Sequence, residues 1–162
     1  MLALDPFESL HDKKIEDIKK YLSKFSFDEL NQIGTVKYNN ACEYSHMQLE
    51  LGAELEPLEE QLLDPEVLRN SEKFEELKEQ YIEKKEAYEH ARIMCIKNHL
   101  ESCCLFIKLN ENLGRGDEHY SEEELNRFPA RDWETVKKFQ IEYEFVNYEQ
   151  ESGDDSGVKL KY

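Results

Sequence analysis

The fold is decided by residues 38–62, which read YNNACEYSHMQLELGAELEPLEEQL. Apolar side chains recur there at steps of three and four positions, a spacing that places them on one face of an α-helix. They are Tyr38, Ala41, Tyr44, Met47, Leu51, Leu55, Leu58 and Leu62. The stretch therefore predicts one long amphipathic helix, which we expect Gly52 and Pro57 to weaken or bend.

The same periodicity resumes after a short connection. Asp64-Pro65 is typical of the cap and first position of a short helical turn, and Asn70-Ser71 is typical of the cap of a longer helix. The apolar positions of that longer helix are Phe74, Leu77, Tyr81, Tyr88, Ala91 and Cys95. These features predict a second amphipathic helix that follows the first.

The second helix changes character along its length. Between Ile93 and Leu109 apolar residues occupy all sides, so we expect a helix that is exposed at its start and buried at its end. Gly114 and Gly116 should end it near Arg115. Two long helices joined by a short connection favour an antiparallel hairpin, which we assign to residues 35–113.

Shorter helices are predicted before the hairpin. One amphipathic helix runs from about His11 to Phe25. Ser26 and Glu29 form a capping-box pattern, so a short helix should follow over residues 27–33. Gly34 is expected to end that helix.

The C-terminal part combines helix and strand patterns. Ser121 and Glu124 repeat the capping-box pattern and predict a helix to Phe128, and a further helix is expected over about residues 132–138. Apolar residues then alternate with polar ones, which favours strands. They are Phe139, Ile141, Tyr143 and Phe145, followed after a Gly/Ser/Asp turn by Val158, Leu160 and Tyr162. We prefer a small β-hairpin here, although a helix also suits residues 139–148.

A chain of 162 residues suits a single domain. The predicted fold is mainly α: a long antiparallel helical hairpin packed with shorter N-terminal and C-terminal helices, plus a small C-terminal β-hairpin. Its three parts are the N-terminal helices (residues 11–33), the hairpin (35–113), and the short helices with the β-hairpin (121–162).

Composition excludes several classes of function. The chain has 37 acidic and 21 basic residues, and its formal charge is −16. Direct binding to nucleic acid or to an anionic membrane is disfavoured, since both depend on Lys and Arg. No apolar run is long enough for a transmembrane helix. The four Cys lie in helix-like segments, which favours reduced thiols and a cytoplasmic location.

The acidic residues are concentrated in two windows. Residues 38–68 contain eight acids and residues 139–158 contain six, and neither window has a Lys or an Arg. Together the windows carry −14 of the −16 charges. A solvated face that keeps the protein soluble is one explanation, and an interaction surface is the other.

These windows lead to the preferred hypothesis, a non-enzymatic binding module, either an inhibitor or an adaptor. Clustered carboxylates would engage a basic surface of a nucleic-acid-binding or toxin-like partner protein, in one form by imitating nucleic-acid phosphates. The first predicted group is Glu50, Glu54, Glu56, Glu59, Glu60, Asp64 and Glu66. The second predicted group is Glu142, Glu144, Asp154 and Asp155.

A structural role is the alternative. In that case the helical hairpin would mediate self-association, and the apolar ring between Ile93 and Leu109 would form the seam of a homodimer. The sequence does not separate such a seam from an internal core.

A metal site is a weaker candidate. Cys42 and His46 lie four positions apart on one predicted helix, and Cys95 and His99 lie four apart on the other. A Cys₂His₂ set suits zinc. Buried structural thiols explain the same residues more often, and we therefore predict neither a metal nor any other cofactor.

Ribonuclease chemistry is a further alternative. Arg92 and His99 are separated by six residues. This spacing resembles the loose Arg-x₄₋₆-His pattern of the all-helical HEPN-type ribonucleases. The resemblance implies that Arg92 and His99 would act on an RNA backbone, usually across a dimer.

Overall fold

The computed structural model describes residues 14–114 and 120–140. Of these residues, 85 % are helical and none is in a strand. The mainly helical fold predicted from the sequence is therefore confirmed. The predicted β-hairpin falls almost entirely outside the described residues, and only its first two positions are placed. No helix in the described part of the chain is long and apolar enough to cross a membrane.

Two long helices dominate the structure, and short helices lie between and beyond them. In chain order they are α1 (Ile15–Leu22), α2 (Phe27–Leu62), α3 (Pro65–Arg69), α4 (Ser71–Leu113) and α5 (Glu122–Leu125). Residues 133–140 form a further helical segment, α6, up to the limit of the described residues.

The described residues fall into two compact units. The first unit contains residues 14–41, 96–114 and 120–140, and the second contains residues 42–95. Helices α2 and α4 contribute to both units.

The first unit holds the larger core. Its fully buried side chains include Leu22 of α1, Leu30 of α2, Leu105 and Leu109 of α4, and Val136 of α6. The apolar end of α4 is buried, as predicted. Most of the side chains put forward as a homodimer seam belong to this core. Self-association stays a prediction, but these core side chains do not supply its contact surface.

The second unit has a small core of Leu58, Val67 and Leu77, against which Phe74 and Tyr81 pack. Side-chain hydrogen bonds join α2 to α4 in this unit. They include Gln48 Nε2 to the Tyr88 hydroxyl (3.3 Å), Lys84 Nζ to Glu54 Oε2 (3.1 Å), and the Tyr81 hydroxyl to Glu59 Oε1 (3.4 Å). Residue numbers rise along α2 as they fall along α4, so the two helices run antiparallel within this unit.

Gly34 does not end a helix, and the prediction of a separate helix over residues 27–33 is wrong. Helix α2 runs without interruption from Phe27 to Leu62 and passes through Gly34, Gly52 and Pro57. A Cβ at Gly34 would lie 3.0–3.3 Å from ring atoms of Phe106. The glycine is therefore a packing feature, where the missing side chain admits an aromatic ring.

Three helix boundaries also differ from the predictions. Helix α1 ends at Leu22 instead of Phe25, because the chain must turn before Ser26 caps α2. Helix α5 ends at Leu125, whereas the sequence predicted an end at Phe128. Phe128 directly precedes Pro129, and a residue in that position disfavours the helical conformation. Residues 139 and 140, placed in a strand by the sequence, are helical. Asp132 caps this last helix, since its Oδ1 accepts from the Thr135 amide at 2.8 Å.

Candidate partner-binding surface

The first acidic group lies on α2, on α3 and at the turn between them, in the second unit. All seven of its residues are exposed. Helical periodicity explains this exposure: α2 buries Leu55 and Leu58 against the second unit's interior, and the carboxylates occupy the remaining sides of the helix.

Four of the seven carboxylates have a partner inside the protein. Glu50 Oε1 lies 3.4 Å from His46 Nε2, Glu54 Oε2 lies 3.1 Å from Lys84 Nζ, and Glu59 Oε1 accepts from the Tyr81 hydroxyl. Asp64 Oδ1 accepts from the Glu66 amide at 2.9 Å and caps α3. The Asp64-Pro65 cap predicted from the sequence is confirmed. Glu54, Glu59 and Asp64 thus contribute to local structure as well as to charge.

The other three carboxylates are those of Glu56, Glu60 and Glu66. Within residues 14–114 and 120–140 none of them forms an ion pair. An exposed carboxylate that is not paired with a cation of its own protein stays hydrated. It is therefore available to pair with a cation of another molecule.

Exposed leucines accompany these carboxylates, and the sequence analysis did not single them out. Leu49 and Leu63 are 71 % and 77 % exposed, and Leu68 is 56 % exposed. The signal was present in the sequence: Leu49 and Leu63 fall off the apolar stripe that contains Leu51, Leu55, Leu58 and Leu62. A leucine outside the buried stripe faces away from the packing partner of its own helix, so it is exposed unless another segment covers it.

The second acidic group is Glu142, Glu144, Asp154 and Asp155. These residues lie outside the described part of the chain. The candidate surface is therefore built from the first group alone.

The four residues considered for zinc have other surroundings. Cys42 and His46 are exposed, and His46 pairs with Glu50. Burial raises the pKa of the half-buried Cys95 thiol. His99 contacts the Tyr38 ring edge-on at 5.8 Å, and burial lowers its pKa. Among the residues that the structure describes, no group of three or more His, Cys, Asp and Glu side chains could hold a metal ion.

Burial also protects the thiols of Cys103 and Cys104. It raises the pKa of Cys103 to about 12 and that of Cys104 well above the usual value. Thiols with such pKa values stay protonated at neutral pH and are poor nucleophiles. Cys103 and Cys104 are therefore structural residues of the first unit's core.

The two residues that resemble the HEPN pattern differ in their surroundings, since Arg92 is paired within the protein and His99 is half-buried. Arg92 Nε donates to Glu89 Oε2 at 2.7 Å, on the preceding turn of α4. His99 Nδ1 is buried without a hydrogen-bond partner. To contact an RNA phosphate, the guanidinium would have to leave a charged partner, and this contact favours a structural role for Arg92.

A cleft of about 380 Å³ lies in the first unit, beside the end of α4 and the start of α6. Three of the side chains that line it are engaged: Trp133 Nε1 donates to Glu111, Arg131 donates to Asn126 at 2.8 Å, and Asp132 caps α6. Asn110 also lines the cleft, and its Oδ1 is buried without a hydrogen-bond partner.

Comparisons with protein families, with curated protein sequences and with solved structures gave no match for this chain. The assignment of a function therefore depends on the chain's own residues.

Proposed function

We propose that the protein is a non-enzymatic binding module, an inhibitor or an adaptor, that engages a basic surface of another protein through the exposed carboxylates of α2 and α3. One observation carries the proposal: a window of 31 residues (38–68) contains eight acids and no Lys or Arg, and the whole first acidic group within it is solvent-exposed. Such a surface attracts cationic partners and accelerates their association.

The carboxylates without a partner support this function over a purely local role. Glu56 and Glu60 form no ion pair within the described residues and cap no described helix. Their mutual repulsion on one helix face costs stability, because like charges four positions apart disfavour a helix. A cationic partner would relieve that repulsion, and in its basic cleft the two carboxylates would take the positions that nucleic-acid phosphates otherwise occupy.

The test reverses charge at three exposed positions of α2 by the substitutions Glu50→Lys, Glu56→Lys and Glu60→Lys. The matched control reverses Glu76, Glu79 and Glu83, which are exposed on α4 of the same unit. Both triple variants change the net charge by the same amount. Each variant and the wild type would be used to capture proteins from the source cell at low and at high salt.

We expect the wild type and the α4 control to capture a basic protein at low salt and to lose it at high salt. The α2 variant should not capture it, while its helicity by circular dichroism stays unchanged. Capture of the same protein by the α2 variant, or capture that is insensitive to salt, would contradict the proposed function.

A further inference from the structure

The exposed face of α2 carries a second regular stripe besides the buried one. Leu49 of α2 and Leu63, the turn residue directly after the last residue of α2, lie 14 positions apart, and two heptads return a residue of a helix to within about 40° of the same face. The Leu63 amide donates to the Glu60 carbonyl at 3.2 Å, so the turn continues from the last turn of the helix. The positions between the two leucines follow at successive steps of four, three, four and three, and they are Ala53, Glu56 and Glu60. We call these five residues the α2 outer stripe, and all of them are exposed.

This stripe has the spacing of a helix–helix contact. Residues at alternating steps of three and four form the seam along which two α-helices pack. The stripe extends for about 21 Å, from the 1.5 Å rise per residue of an α-helix. It has an apolar residue at each end and two carboxylates without an ion pair in the described residues between them.

We propose that the α2 outer stripe docks an amphipathic cationic helix of the partner protein. Apolar side chains of that helix would cover Leu49 and Leu63, and Lys or Arg side chains would meet Glu56 and Glu60. The inference rests on the proposed function, which requires a basic partner, and it adds the partner's secondary structure and the position where it binds.

Charge complementarity decides between this partner and a second copy of the chain. Two antiparallel copies of the stripe would place Glu56 opposite Glu56, and two parallel copies would place both glutamates opposite themselves. Like charges at the centre of a helix pair disfavour that pairing. A helix with Lys or Arg at the facing positions instead forms opposite-charge pairs between two apolar contacts.

The test uses a defined probe, a fluorescent 21-residue peptide with leucines at both ends of one helical face and lysines between them. A peptide of the same composition with the leucines scattered around the helix is its control. The protein variants are Leu49→Gln with Leu63→Gln, and Glu56→Lys with Glu60→Lys. Leu68→Gln is the matched control, because Leu68 is exposed in the same unit but lies on α3, off the stripe.

The wild type should bind the amphipathic peptide about tenfold or more tightly than the scattered one. The Leu49/Leu63 variant should lose about 10- to 100-fold in affinity, as expected for two leucine contacts. The Glu56/Glu60 variant should bind weakly, because its lysines repel those of the peptide, and added salt should not weaken its binding further. Leu68→Gln should behave as the wild type does.

The outcomes that overturn the docking site differ from those that overturn the proposed function. If both peptides bind equally and only the glutamate variant fails to bind, the proposed function is supported. The proposal that the α2 outer stripe docks an amphipathic helix is then wrong. If neither peptide binds the wild type at low salt, both proposals are wrong. If light scattering shows a wild-type dimer that the Leu49/Leu63 variant dissociates, the stripe is covered by a second copy instead.

Discussion

Gly34 and Gly52 are both interior residues of α2, yet they have different neighbours. A Cβ at Gly34 would press on the ring of Phe106, itself packed against Phe128 with ring centroids 5.2 Å apart. A Cβ at Gly52 would make an ordinary contact with Tyr88, at 3.6 Å. The first glycine is required by packing, whereas the second is replaceable.

We therefore predict opposite effects for the same substitution. Gly52→Ala should raise the free energy of unfolding by about 0.5–1 kcal/mol, because alanine favours the helix. Gly34→Ala gains the same helix propensity, but crowding of the buried Phe106 ring should outweigh it and lower the free energy of unfolding by about 1 kcal/mol. Chemical denaturation of the two variants measures the difference, and equal stabilisation by both would contradict the packing role of Gly34.

At the scale of elements, the ends of the helices are set by hydrogen bonds between residues close in sequence. The Ser26 amide donates to Glu29 Oε1 at 3.0 Å, and the Glu29 amide donates to Ser26 Oγ at 3.2 Å. Hydrogen bonds to the Glu29 carboxylate from the Ser26 amide, and secondly from the Ser26 side chain, lower the pKa of Glu29. Such pairs satisfy backbone donors that the first turn leaves free, and they set the start of α2.

Removal of the cap should destabilise the protein by a predictable amount. Ser26→Ala should lower the free energy of unfolding by about 1 kcal/mol, because the Glu29 amide loses its acceptor. Ser23→Ala is the matched control, since the Ser23 hydroxyl only donates to the Lys19 carbonyl at the end of α1. Thermal unfolding of both variants checks this, and equal losses would show that the cap does not stabilise α2.

At the scale of the whole molecule, the two units differ in how much apolar surface each one buries. The core of the first unit contains buried residues from α1, α2, α4 and α6. The core of the second unit contains Leu58, Val67 and Leu77, with three partly buried neighbours. Local stability follows buried apolar contacts, so α4 should be more stable in the first unit than in the second.

Hydrogen exchange of backbone amides tests this difference within one helix. Amides of residues 100–109 of α4 should exchange most slowly, and those of residues 74–88 should exchange faster by about tenfold or more. Equal exchange rates along α4 would contradict the prediction that this helix is more stable in the first unit than in the second. A neutral-pH measurement on the wild-type protein is sufficient.

The sequence by itself determined the features that depend on neighbouring residues. Apolar spacing of three and four predicted α4 and the part of α2 that follows Gly34, and the caps at Ser26, Asp64 and Ser121 are confirmed. Gly114 ends α4 with a φ of 65°, as expected for a glycine after a helix. The exposure of the first acidic group also followed from the sequence, because it requires only the position of the buried stripe.

The tertiary structure decided what depends on residues far apart in the chain. Gly34 continues a helix because Phe106 packs on it, and Glu101 is buried because Lys37 Nζ lies 3.0 Å from its carboxylate. The structure also showed that Leu49 and Leu63 are exposed within the part of the chain that it describes. Periodicity reports which face of a helix is apolar, whereas contacts between distant segments determine which apolar residues find a partner within the chain and which remain exposed.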